Sequence, residues 1–140
     1  MKAYACAALG LGILAAEPSS AKSITLQAVN LNDKEMSAEG GEATLYRVIT
    51  AKGAYCRIEA VHYGETGKAV YGFAFKRRLF SAVRREYHYD PSDFTAPNLK
   101  IELADTQTLE TKAGSATLPT AFKEYRSFFD VRQLAKCSGR

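Results

Sequence analysis

From Ala43 to Tyr89 the chain runs in long stretches rich in Tyr, Val, Ile and Phe, broken only by short turn signals. That texture predicts an antiparallel meander. Its strands extend from Ala43 to Ala51, with a turn at Lys52-Gly53, and from Ala54 to Tyr63, with a turn at Gly64-Glu65-Thr66-Gly67. The glycines of the latter turn are available for positive φ. The next strand, Lys68 to Phe75, sets Tyr71, Phe73 and Phe75 on one side and Val70, Gly72 and Ala74 on the other, because side chains alternate across a strand. The aromatic stripe is read as core packing. A turn at Lys76-Arg77-Arg78 then leads into a strand from Leu79 to Tyr89.

On the N-terminal side, Ile24, Leu26, Ala28 and Leu31 among polar neighbours predict a first strand of about Ser23 to Val29, followed by a polar loop from Asn30 to Gly41. After Tyr89 the breakers Asp90-Pro91-Ser92-Asp93 open a loop to about Asn98. Leu99, Ile101 and Leu103 alternate with Lys100 and Glu102, which predicts one more short strand. Residues 104 to 116 read either as a Thr-rich strand or as a weak helix, and strand plus loop is the preferred reading. From Leu118 the period changes. Leu118, Ala121, Phe122, Tyr125, Phe128 and Phe129 recur every three or four residues, predicting an amphipathic helix to about Lys136 with Pro119 in its first turn. The pattern therefore predicts an α+β fold: an antiparallel meander of four to six strands with one C-terminal helix packed on one face.

The first residues change the picture. Lys2, an apolar run from Ala3 to Ala16 and a small polar segment to Ala21 have the order of a secretory signal, with Ser19 and Ala21 at the small-residue positions of a cut after Ala21. The apolar run is shorter than the roughly 20 residues that span a bilayer. Residues 1–21 are thus read as a cleaved signal and 22–140 as a single domain, periplasmic or secreted. Cleavage removes Cys6 and leaves Cys56 and Cys137, a pair that an oxidising compartment would join. The bridge would close a loop of about 80 residues and stabilise by on the order of 4 kcal/mol at the upper end. It would also pin the helix to the sheet. The net charge of +4 survives cleavage, because Lys2 and Glu17 leave together; it is compatible with anionic partners.

Candidate chemistry is sparse. His62 and His88 each lie near a strand end and are flanked by tyrosine. Together with the nearby cations they are the ingredients secreted ribonucleases use: a base, an acid and a cationic group at one phosphodiester. In a simple meander the two histidine strands are separated by a third, a gap of roughly 10 Å, so the bland reading is a pair of ordinary sheet histidines. Lys76, Arg77, Arg78, Arg84 and Arg85 place five cations in ten residues, with Tyr87 and Tyr89 following. They read either as a solvated hairpin tip or as a polyanion site using charge-assisted contacts and stacking. Glu59, Glu65 and Glu86 have no spacing that pairs two of them as acid and base. Ser81 and Ser115 lack a nucleophile elbow, and no Walker, dinucleotide, HExxH or EF-hand signature is present. No cofactor or metal is expected.

Gly114-Ser115-Ala116 is similar, over those three residues only, to the serine-containing inhibitory loop of lysozyme inhibitors, which are small periplasmic β-rich proteins with one disulfide. The absence of tryptophan and the basic balance depart from that group, so the likeness is not taken as membership. The leading expectation is an exported, non-enzymatic binding or inhibitory module. It would act on an envelope protein or an anionic envelope polymer through the sheet face bearing Arg84 and Tyr63, or through the 76–78 tip, with Tyr87 among the candidate binding residues. The alternatives are a secreted phosphodiester hydrolase using His62 and His88, with nucleic acid as a partner, and a structural envelope component associating through its sheet edges.

Overall fold

The computed structural model describes residues 21–34, 39–90 and 101–138. The expected signal, apart from Ala21 at its end, the loop expected from Pro91 to Asn98, and Leu99 with Lys100 of the expected last strand lie outside the described residues. Six strands, β1 (Lys22–Asn30), β2 (Gly41–Thr50), β3 (Gly53–Tyr63), β4 (Gly67–Phe75), β5 (Leu79–Tyr89) and β6 (Ile101–Thr108), form one antiparallel sheet in sequence order. Two of the turns fall where glycines stand: Gly53 takes φ +130° at the β2–β3 reversal, and Gly64 N–H donates to the carbonyl of Gly67 at the next. The β4–β5 reversal is made by Lys76, Arg77 and Arg78.

Strand alternation sorts the sheet into two faces. Ala43 and Leu45 of β2, Cys56, Ile58 and Ala60 of β3, Phe73 and Phe75 of β4 and Ala82 of β5 are buried on one face, in register across the ladders Leu45↔Ile58↔Phe73↔Ala82. Helix α1 (Lys112–Arg126) covers this face with Leu118, Phe122 and Tyr125. Phe122 packs between Phe73 and Phe75, at ring separations of 5.7 and 4.9 Å. The aromatic stripe is core, as its period predicts, and emptying one such position costs about 3–5 kcal/mol.

Two boundaries differ from the sequence reading. Residues 104–116 divide into the end of β6, a cap and the first turn of α1, so the helix begins six residues before Leu118. The Thr111 side chain caps it by accepting from the N–H of Gly114 while donating to the carbonyl of Thr108. Gly114 is required there, since a Cβ would stand 1.9 Å from the Thr108 oxygen. Pro119 consequently lies inside the helix rather than in its first turn, and the Gly114-Ser115-Ala116 segment is helical rather than a loop. The helix also stops early. Asp130 is extended, caps the short α2 (Val131–Leu134) and donates its backbone N–H to Oε1 of Gln27 on β1, turning the tail back across the sheet. The segment after β1 is not wholly polar loop either: a single 3-10 turn at Leu31–Lys34 buries Leu31 completely.

The tail ends at Cys137, bonded to Cys56 with the Cα atoms 5.4 Å apart. The bridge joins the C-terminal turn Ala135–Cys137 to the middle of β3. Among the described residues no helix is long and apolar enough to cross a membrane.

Candidate functional site

The cations adjacent in sequence do not form one patch. Lys76, Arg77 and Arg78 are exposed at the β4–β5 hairpin tip, and among the described residues no carboxylate pairs with them. Arg84 stands opposite Tyr71 on the helix-bearing face, whereas Arg85 stands opposite Val70 and Thr106 on the other. Strand parity therefore divides the five cations among three surfaces. It also parts the expected pair Arg84 and Tyr63: Tyr63, opposite Lys68, and Tyr87, opposite the same Lys68, lie on the face away from Arg84.

Arg84 is committed internally. Its Nε donates to the Tyr71 hydroxyl at 3.1 Å and its terminal nitrogen to a Glu86 oxygen at 2.9 Å. Burial opposes its charge, but these two bonds outweigh burial and raise its pKa. The other Glu86 oxygen lies 3.5 Å from Nε2 of His88.

His62 shares the face with Arg84, one row away, and its Nε2 meets the Tyr125 hydroxyl of α1. Burial, reinforced by the nearby positive charge of Arg84 and only partly offset by Glu124, lowers the His62 pKa. Burial likewise raises that of Tyr125, aided by Tyr71 and Glu124. A neutral imidazole accepting from a phenol that keeps its proton is the arrangement both shifts favour.

His62 and His88 border one shallow concavity of about 240 Å³ beside the β3–β4 turn, together with Tyr63, Lys68, Glu86 and Tyr87. Lys68 Nζ lies 5.4 Å from the centre of the Tyr87 ring. Gly67 keeps the floor low, because a Cβ there would stand 2.0 Å from the Tyr87 carbonyl oxygen. The register sets His62 opposite Ala69, and His88 opposite Gly67 on the far side of β4. Two strand spacings and a two-residue stagger put their Cα atoms roughly 12 Å apart. The shared concavity is wider than the span of one phosphate, and His62 Nε2 is engaged by Tyr125.

At the opposite end of the strands a larger concavity, about 500 Å³, is lined by Arg47, Arg77, Ala135, Lys136 and Ser138. Arg47 and Lys136 were missed by sequence reasoning. They lie 30 residues before and 59 after Arg77, and only the sheet register and the disulfide bring them together: Arg47 is the cross-strand partner of Cys56, and Lys136 precedes Cys137. The described lining contains three cations and no carboxylate. No set of three or more His, Cys, Asp or Glu placed to hold a metal ion occurs among the described residues.

No family model matches the chain, and neither the curated proteins nor the solved structures include a match.

Proposed function

We propose that this chain is an exported, non-enzymatic binding module that engages an anionic envelope polymer through the end of the sheet formed by the β4–β5 hairpin. The observation that carries the reading is the contrast between Arg84, whose guanidinium is spent on Tyr71 and Glu86, and the tip cations Lys76, Arg77 and Arg78, which are exposed and without a carboxylate partner among the described residues. Exposed cations at a hairpin tip, with no carboxylate partner among the described residues, are available for charge-assisted contacts to anions. This reading places the partner at the tip instead of on the face bearing Arg84. Retention on heparin-like beads at about 150 mM salt, where the Debye length is about 8 Å, tests it. Retention lost in the Lys76→Gln/Arg77→Gln/Arg78→Gln variant and kept in Arg84→Gln is the expected result. Retention unaffected by the triple substitution overturns it.

One observation favours a second reading, a phosphodiester hydrolase: both histidines border one concavity, with Lys68 and Glu86 beside them. RNA cleavage by the purified chain that disappears in both His62→Ala and His88→Ala would support it. Cleavage unchanged by the two substitutions would remove it.

A further inference from the structure

We infer that Arg47, Arg77 and Lys136 form a seat for a phosphate monoester group. The inference rests on the anion-binding reading of this end of the molecule and names the group that is bound there.

The concavity these residues line, about 500 Å³, falls within the roughly 300–1,000 Å³ typical of small-ligand sites. It is large enough for a phosphate and part of what the phosphate is attached to. Its described walls carry three cationic side chains from three separate segments, β2, the hairpin tip and the C-terminal turn, with no carboxylate among them. Like charges brought together without a counter-charge repel one another, and a bound anion reverses that cost.

Arg47 supplies an observation that does not depend on the count of charges. Its Nε is buried and has no hydrogen-bond partner among the described residues, although a buried donor is ordinarily satisfied. A rotation of the Arg47 side chain that turns Nε to the concavity would give it a phosphate oxygen, the acceptor that a guanidinium fork fits through two parallel N–H donors. Three cations match a dianionic monoester better than a monoanionic diester, which separates this seat from a groove that simply tracks a phosphodiester backbone.

The fold holds the seat from both sides. Arg47 stands opposite Cys56 in the β2–β3 ladder, and Cys56 is bonded to Cys137, next to Lys136. The disulfide therefore holds together the two backbone segments that carry Arg47 and Lys136. Arg77 closes the third side from the tip of the β4–β5 hairpin of the same sheet.

The test uses the oxidised chain at pH 7.5 in about 150 mM salt, with phenyl phosphate and dimethyl phosphate as probes in calorimetry and heparin as the polymer. Phenyl phosphate is expected to bind at least ten-fold more tightly than dimethyl phosphate. Arg47→Gln and Lys136→Gln should each weaken phenyl phosphate by ten-fold or more and heparin by less than three-fold. Lys76→Gln/Arg78→Gln should weaken heparin and leave phenyl phosphate within two-fold. Arg47→Lys, which keeps the charge and loses the fork, should fall between the parent and Arg47→Gln. Because Lys136 is exposed on the tail, its substitution reports on the seat even where a change at Arg47 disturbs folding. Equal affinity for the two probes, or phenyl phosphate affinity unchanged in both Arg47→Gln and Lys136→Gln, overturns the seat. Heparin binding that ignores the tip substitutions while phenyl phosphate behaves as described overturns the polymer reading and leaves the seat standing.

Discussion

The hydroxyl of Tyr125, on the helix, meets Nε2 of His62, on the third strand, tying the two layers together through a polar contact at the edge of the apolar core. The contact has a pH dependence of definite sign. Folded His62 has a pKa below its ordinary 6.5, so near that pH the unfolded chain binds more protons than the folded one, and stability rises with pH. The contribution is complete above about pH 6.5 and is lost as pH falls through the folded value. Urea midpoints should therefore decline on acidification from pH 7. His62→Gln, which still accepts from Tyr125 but does not titrate, should flatten that decline. A wild-type slope retained in the variant would assign the effect to another group.

Tyr125→Phe removes the donor and leaves the imidazole nitrogen without its partner. Because His62 is only partly buried, water takes up some of the loss, and the expected destabilisation is about 1 kcal/mol, at the lower end for an orphaned polar group. Chemical denaturation at pH 7 checks the value.

The Cys56–Cys137 bridge spans 81 positions in sequence. Replacing both cysteines by alanine should cost about 2–4 kcal/mol, read as a lower urea midpoint. Under conditions where the variant is folded, it should also lose phenyl phosphate affinity as Lys136→Gln does, since the turn carrying Lys136 is released from β3. Full affinity in a folded, bridge-free variant would show that the tail holds Lys136 in place without the bond.

Pro119 occupies the middle of α1, where it supplies no N–H to the carbonyl of Ser115 four residues earlier. It is exposed, so replacement disturbs no core contact. Pro119→Ala should stabilise the chain by about 1–3 kcal/mol, seen as a higher melting temperature. An unchanged melting temperature would mean that the helix has already adapted to the missing bond.

Gly67→Ala tests how closely β4 and β5 approach. A Cβ at this position collides with the backbone of Tyr87, not with a movable side-chain end, so the expected cost is about 1–3 kcal/mol, measured by denaturation. A neutral result would mean that the β3–β4 turn shifts freely, and with it the wall shared by His62 and His88.

Much of the fold was legible in the sequence because strand alternation and glycine-bearing turns are local signals: the hairpins at Gly53 and at Gly64 to Gly67, and the stripe Tyr71, Phe73, Phe75, fall where the pattern sets them. The pairing of Cys56 with Cys137 was legible from the count of thiols, on the expectation that Cys6 belongs to a signal and only two remain to pair. The true start of α1 was not, because Thr111, Gly114 and Thr117 dilute the apolar period and the cap at Thr111 acts through its contact with the end of β6. The division of Arg84 from Arg85 could have been read from parity alone, yet their adjacency in sequence suggested one patch. Arg47 and Lys136 carried no local signal, since their meeting with Arg77 depends on cross-strand register and on a bond closed over 81 positions.

The central claim is that an anion binds at the hairpin end, and backbone amide shifts recorded while a heparin oligosaccharide is titrated into the oxidised chain test it most directly. The account predicts that the largest perturbations cluster at Lys76 to Arg78, extend to Arg47 and Lys136, and collapse in the Lys76→Gln/Arg77→Gln/Arg78→Gln variant. Perturbations centred instead on His62 to Lys68 and Glu86 to His88, or none at 150 mM salt, would contradict it.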